Sequence, residues 1–169
     1  AVSNKIGTAK LFLSDTNFGD HIIADTGESR NSIEIEMIDA DNYFKNFKNP
    51  INFIKMDIQG AEIDALNGMS SLLQHKDVKM MLEFSPYSLK KFGRDPLELF
   101  DILKKYGFNL IEMDGNEKKL ISLTPEELIK KYPANKMAYT NLLCSKDDLS
   151  LFWKISVIFL EDIEFFKPY

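Results

Sequence analysis

The sequence predicts an α/β fold: an open sheet whose strands alternate with helices and finish in an antiparallel strand at the edge. Three observations predict it. A mostly apolar run, Ile51 to Ile58, is followed by a helix-spaced stripe and by a second apolar run, Val78 to Phe84. Two helix starts are written with full capping signals, at Asp95-Pro96 and Thr124-Pro125. Each of these starts is followed by a further strand-like segment, Phe108 to Met113 and Tyr139 to Ser145.

The first elements are short. Lys10 to Leu13 is a strand candidate after the turn Asn4 to Gly7, and Ser32 to Ile38 alternates apolar and polar residues as a half-buried strand does. Asp15 to Arg30, rich in Asp, Asn, Gly and Thr, is a loop, and Asp39 to Phe47 suits a short helix. Ile51 to Ile58 reads as a buried strand with a tight corner at Gly60. Ile63, Leu66, Met69 and Leu73 fall at helical spacing, so one helix is expected from Ala61 to about Gln74. With Val78 to Phe84 this makes a parallel crossover unit, and Ser85-Pro86 stops its second strand.

Downstream, Asp95 is an N-cap, Glu98 completes a capping box, and Phe100, Leu103 and Tyr106 carry the buried stripe. Gly107 supplies the left-handed stop. The helix begun at Thr124 ends near Tyr132-Pro133, and residues 148–169 form an aromatic and acidic tail with no assigned role. Residues 1–147 are expected to form one partial domain.

Composition narrows the function classes. The chain has 169 residues, 44% hydrophobic and 28% charged, which suits one folded core. Its net charge of -5 and pI of about 5.1 argue against nucleic acid as a partner. The single cysteine, Cys144, permits no intrachain disulfide and no Cys-rich zinc site, so a reducing, cytoplasmic setting is expected. No basic start leads into an apolar run, so no signal peptide is expected. The most apolar segment, Leu151 to Leu160, is interrupted by Lys154 and falls well short of the ~20 residues of a membrane span.

Ligands of parallel sheets bind beyond the carboxyl ends of the strands, which singles out Asp57, Glu83 and the pair Glu112 and Asp114. Asp57 interrupts an apolar strand, so its carboxylate needs a partner, and the amides of the helix after Gly60 are one source. It is either a functional group or a cap for that helix. Glu62 favours the same helix dipole and reads as structural. His21, beside Asp20, could hold one tautomer and titrate near neutrality, or be an ordinary loop histidine. No phosphate loop, HExxH or GxSxG pattern occurs, and no metal site is expected.

The string Phe53-Ile-Lys-Met-Asp-Ile-Gln-Gly-Ala-Glu62, followed by Leu66-Asn67-Gly68, closely resembles the hallmark segment of FkbM-type methyltransferases. Ala1-Val2-Ser3-Asn4 with Gly7, the loop Gly19-Asp20-His21, and Glu83-Phe84-Ser85-Pro86 are similar to further family features in the same order. The resemblance implies a Rossmann-like class I methyltransferase sheet, S-adenosylmethionine as cofactor, and O-methylation of a hydroxyl on a small-molecule or glycan acceptor. It also implies that the family's amino-terminal strands, with their Gly-rich turn, are absent, so that the chain alone is expected to be inactive. Ala1, Asp57 and Gln59 are then the expected cofactor contacts, and His21, Asp57 and Glu83 the catalytic candidates. With ordinary pKa values of about 6.5 for His and 3.9 for Asp, His21 is the better-matched base. The rival reading is a non-catalytic half-domain that self-associates or binds a partner through an exposed sheet edge, or takes another nucleotide or sugar.

Overall fold

The computed structural model describes residues 1–15, 21–23, 30–115 and 119–148. The tail 149–169 and the dipeptide Gly19-Asp20 lie outside the described residues.

Two strands, β1 (Gly7–Phe12) and β2 (Ser32–Met37), pair antiparallel as a separate ribbon, with Gly7 opposite Met37 and Phe12 opposite Ser32. The alternation in β2 reaches the core only at its end: Met37 is buried, while Ile33 is half exposed. Asp39 caps α1 (Ala40–Tyr43) by accepting the Asn42 amide at 2.8 Å.

The crossover unit is present as β3 (Phe53–Met56), α2 (Glu62–Asn67), α3 (Ser70–Gln74) and β4 (Lys79–Phe84), with β3 and β4 parallel and Met56 opposite Leu82. The single helix expected from Ala61 to Gln74 is instead two. The amino-terminal segment packs into the break, where a Cβ on Gly68 would lie 1.9 Å from the Ser3 carbonyl oxygen. Asp41 then restarts the helix, its carboxylate accepting the Ser71 amide at 2.9 Å and the Leu72 amide at 3.2 Å. Satisfying the first amides of α3 from another element allows a break that would otherwise leave them orphaned.

Ser85-Pro86 ends β4 as expected and also starts α4 (Pro86–Lys91), with Ser85 as N-cap. The capping boxes of α5 (Pro96–Lys105) and α6 (Pro125–Lys131) form as read, Asp95 with Glu98 and Thr124 with Glu127. Between these helices lie β5 (Asn109–Asp114) and a short hairpin partner, β6 (Lys119–Ile121).

The last described strand, β7 (Thr140–Ser145), corrects the expected topology. It is antiparallel, but it is not at the edge. The sheet order is β3-β4-β7-β5-β6, and β7 pairs antiparallel with both β4 and β5. The crossover from β4 to β5 leaves a gap of one strand, which the chain fills on returning from α6. Leu142 and Cys144, both fully buried, are the residues an interior strand requires.

Among the described residues, the helices and the sheet share one core. Met80, Leu82 and Phe84 alternate along β4 toward Leu66, Leu73, Leu99 and Leu103, all within the main core cluster and fully buried. Burial of each such side chain contributes roughly 1.5–3 kcal/mol. The Phe84 and Phe100 rings meet at 4.9 Å. Among the described residues no helix is long and apolar enough to cross a membrane.

Candidate active site

At the carboxyl end of β3 the chain turns sharply through Asp57-Ile58-Gln59-Gly60. Two residues there have left-handed backbone, Gln59 at φ 55° and Gly60 at φ 102°. At Gly60 only glycine fits, because a Cβ would lie 2.5 Å from the Ser88 carbonyl oxygen. Gln59 adopts that conformation with a side chain attached, a local cost of roughly 1–2 kcal/mol.

Glu62 holds the turn. Its Oε1 accepts the amides of Ile58 at 3.2 Å and Gly60 at 3.3 Å, and the residue is 3% exposed. Burial pushes its carboxyl up, against the pull of these amides. The structural role read for Glu62 is therefore met by a specific contact within its own turn.

Asp57 differs from expectation. Its side chain is 39% exposed rather than buried in an apolar strand, and β3 is the end strand of the sheet among the described residues. It does not take the amides of this turn: those of Ile58 and Gly60 go to Glu62. Asp57 Oδ1 instead accepts from Gln59 Nε2 at 3.1 Å, and Oδ2 from Lys55 Nζ at 3.4 Å.

One residue beyond the paired Met56 and Leu82, Asp57 just past β3 and Glu83 next to the end of β4 fall on the same sheet face. Burial, then the charges of Asp57 and Glu62, push the Glu83 carboxyl up to about 7, with Lys55 pulling the other way. The corner thus gathers three carboxyl groups, one of which titrates near neutrality. Perturbation of this kind, at the carboxyl edge of a sheet, is characteristic of catalytic acids and bases.

The other expected site residues are held elsewhere. His21 Nδ1 accepts the Ser14 amide at 3.0 Å, which leaves the proton of the neutral imidazole on Nε2. The Ala1 ammonium donates to the Glu36 carbonyl at 2.6 Å, and Ala1 O accepts the Ile38 amide.

Glu112 and Asp114 at the end of β5 form a network that the sequence reading missed. Lys131 Nζ reaches Glu112 Oε2 and Asp114 Oδ2, each at 2.9 Å, and the Tyr132 hydroxyl donates to Glu112. Burial alone would lower the lysine, but the hydrogen bonds it donates to Asp114 and Glu112 outweigh it and push it up. The available signal was a basic last turn in α6. Cys144 is fully buried, and burial pushes its thiol up, so it is a core residue. Among the described residues no group of three or more His, Cys, Asp or Glu is arranged to hold a metal ion.

Residues 1–110 match the methyltransferase FkbM domain. The chain belongs to the FkbM methyltransferase family. No curated protein and no solved structure matches it. The FkbM match spans the corner, Glu83 and the two helices after it, and ends inside β5. Within the matched range of this FkbM methyltransferase, Gly60 is held against Ser88 and Glu62 fastens the turn.

Proposed function

We propose that this FkbM methyltransferase O-methylates a hydroxyl on a small-molecule or glycan acceptor, using S-adenosylmethionine on a Rossmann-like class I sheet. The observation that carries the reading is Glu83, a half-buried carboxyl brought to about 7 beside Asp57.

The residues present suit the cofactor chemically. S-adenosylmethionine carries a sulfonium and an ammonium group, and the corner crowds three carboxyls whose repulsion a cation relieves. When bound it supplies an activated methyl group, so alignment and removal of the acceptor proton are what the protein must add. Asp57, Gln59 and Ala1 are the residues we assign to holding it. Gln59, fixed by its backbone and its bond to Asp57, keeps that carboxylate aimed.

Glu83 is the proposed base. A carboxyl near 7 is matched to take the hydroxyl proton at neutral pH, as the oxygen becomes nucleophilic. His21, whose Nδ1 accepts the Ser14 amide, is the other residue proposed to act on the acceptor hydroxyl. The reading includes a cytoplasmic setting, supported by the single, buried cysteine.

The test is methyl transfer from S-adenosylmethionine by the complete gene product to a panel of glycosides and hydroxylated natural products. Glu83→Gln is expected to lower kcat by about 10²–10⁴-fold and to remove the ascending limb near pH 7, an effect much larger than any change in cofactor affinity. Absence of transfer to any hydroxyl, or an unchanged rate in that variant, refutes the reading.

A second reading rests on β3, which among the described residues is an edge of the five-stranded sheet and carries Phe53 at 56% exposure. Such an edge supports association through strand addition, with a second copy or with another chain. A monomer by light scattering at high concentration would argue against self-association.

A further inference from the structure

We propose that this chain has a second ligand site, at the opposite end of the sheet from Glu83, for a small organic anion built on a ring. A cleft of about 650 Å³ opens between α1, α3 and the residues leading into β3. Asn52, which lines it, accepts the first β4 amide, so the cleft sits at the amino ends of these strands. At a rise of about 3.3 Å per residue, this is roughly 16 Å from Asp57 along β3. Its size is that of a small-molecule site.

The lining supplies two kinds of recognition. Phe44 and Phe47 form one wall, edge to face at 5.7 Å, and Phe47 is 55% exposed despite its size. An aromatic pair held open in this way offers a flat ligand a stacking surface. Lys45, Lys48 and Lys76 surround it with His75, against Asp41 and Asp77. Asp41 accepts the amides of Ser71 and Leu72, which holds its carboxylate at the start of α3. Three lysines against Asp41 and Asp77 leave the lining with an excess of one positive charge, Lys76 also facing Asp147, in a chain whose net charge is -5. The amides of Asn49 and Asn52 add hydrogen-bonding capacity for ring substituents. A ligand that uses both features carries a carboxylate or phosphate on an aromatic or similarly flat ring.

The proposal is independent of the methyltransferase reading and is tested by binding alone. The full chain is titrated with phenyl phosphate, benzoate, inorganic phosphate and phenol, followed by amide NMR shifts. Saturable shifts within 44–52 and 71–77 are expected for at least one ring anion, with affinity on the order of tenfold above both phosphate and phenol. The tighter of phenyl phosphate and benzoate identifies the anionic group. Changing Lys45 and Lys48 to Met should weaken the ring anion on the order of tenfold while leaving phenol unaffected. Phe47→Ala should weaken the ring anion and leave phosphate unaffected. All three side chains are on exposed residues, and an unchanged melting temperature verifies the fold of each variant. Inorganic phosphate binding as tightly as the ring anions, shifts confined to the Asp57 corner, or no saturable shift would each overturn the proposal.

Discussion

Glu83 stands one parallel strand away from Asp57, each one residue past the paired Leu82 and Met56. Burial of Glu83 and the neighbouring charge together keep its proton bound to about pH 7. The arrangement needs no long-range network, only the register of two strands and a turn that keeps Asp57 at the rim.

Glu83 should also register in stability. The folded chain holds this proton more tightly than the unfolded one. The resulting stabilisation is complete below about pH 4.5 and is lost as the pH rises through about 7. After screening, the effect is on the order of 1–2 kcal/mol, or roughly 2–8 °C in a chain of this size. Melting curves of wild type and Glu83→Gln should therefore diverge between about pH 5 and pH 8, the wild type losing more. Parallel curves would contradict the raised pKa.

Gln59 links strain to activity. Gln59→Gly relieves a side chain in left-handed backbone and should leave stability unchanged or raise it by up to about 1 kcal/mol. The same change removes the hydrogen bond to Asp57, so methyl transfer should fall while the melting temperature does not. Paired thermal and kinetic measurements on the one variant decide this. A fall in both would mean that Gln59 serves folding alone.

Glu62 serves the turn, and its loss should appear as instability. Glu62→Leu leaves the Ile58 and Gly60 amides without their acceptor, at a cost of about 1–3 kcal/mol per group left unsatisfied. Gly60→Ala should be at least as damaging, since its Cβ meets backbone rather than a side chain that could move. Chemical denaturation of both variants provides the comparison.

Lys131→Met should destabilise by about 3–5 kcal/mol, because it leaves the fully buried Glu112 carboxylate without its cation. Adding Glu112→Gln should recover part of that loss, which a double-mutant cycle by calorimetry would measure. An additive pair would show that the contact contributes nothing.

Local signals carried most of the fold. The Asp95 and Thr124 capping boxes, the Gly107 stop at φ 77° and the parallel unit around Gly60 depend on residues within a few positions of one another. What escaped depends on distant partners. The break between α2 and α3 is imposed by Ser3 and Asp41, which nothing near Gly68 announces. The interior place of β7 is set by the gap between β4 and β5, although the apolar run at Leu142 to Cys144 was consistent with it.

The site was legible in part for the same reason. The corner and its glycine were visible as a motif. The exposure of Asp57 goes with the place of β3 at the end of the sheet among the described residues, and the imidazole tautomer of His21 with a Ser14 amide seven residues away. Neither is encoded locally. Glu62 was the exception, a nearby acid whose work as acceptor for two amides only the turn geometry disclosed.

The interior position of β7 has a consequence for biosynthesis. Thr140–Ser145 is the last described strand to leave the ribosome, yet it joins two neighbours made well before it. Until it emerges, β4 and β5 each expose hydrogen-bonding groups that another nascent chain could capture. Truncation before Thr140 should therefore give a polypeptide that binds chaperones and precipitates.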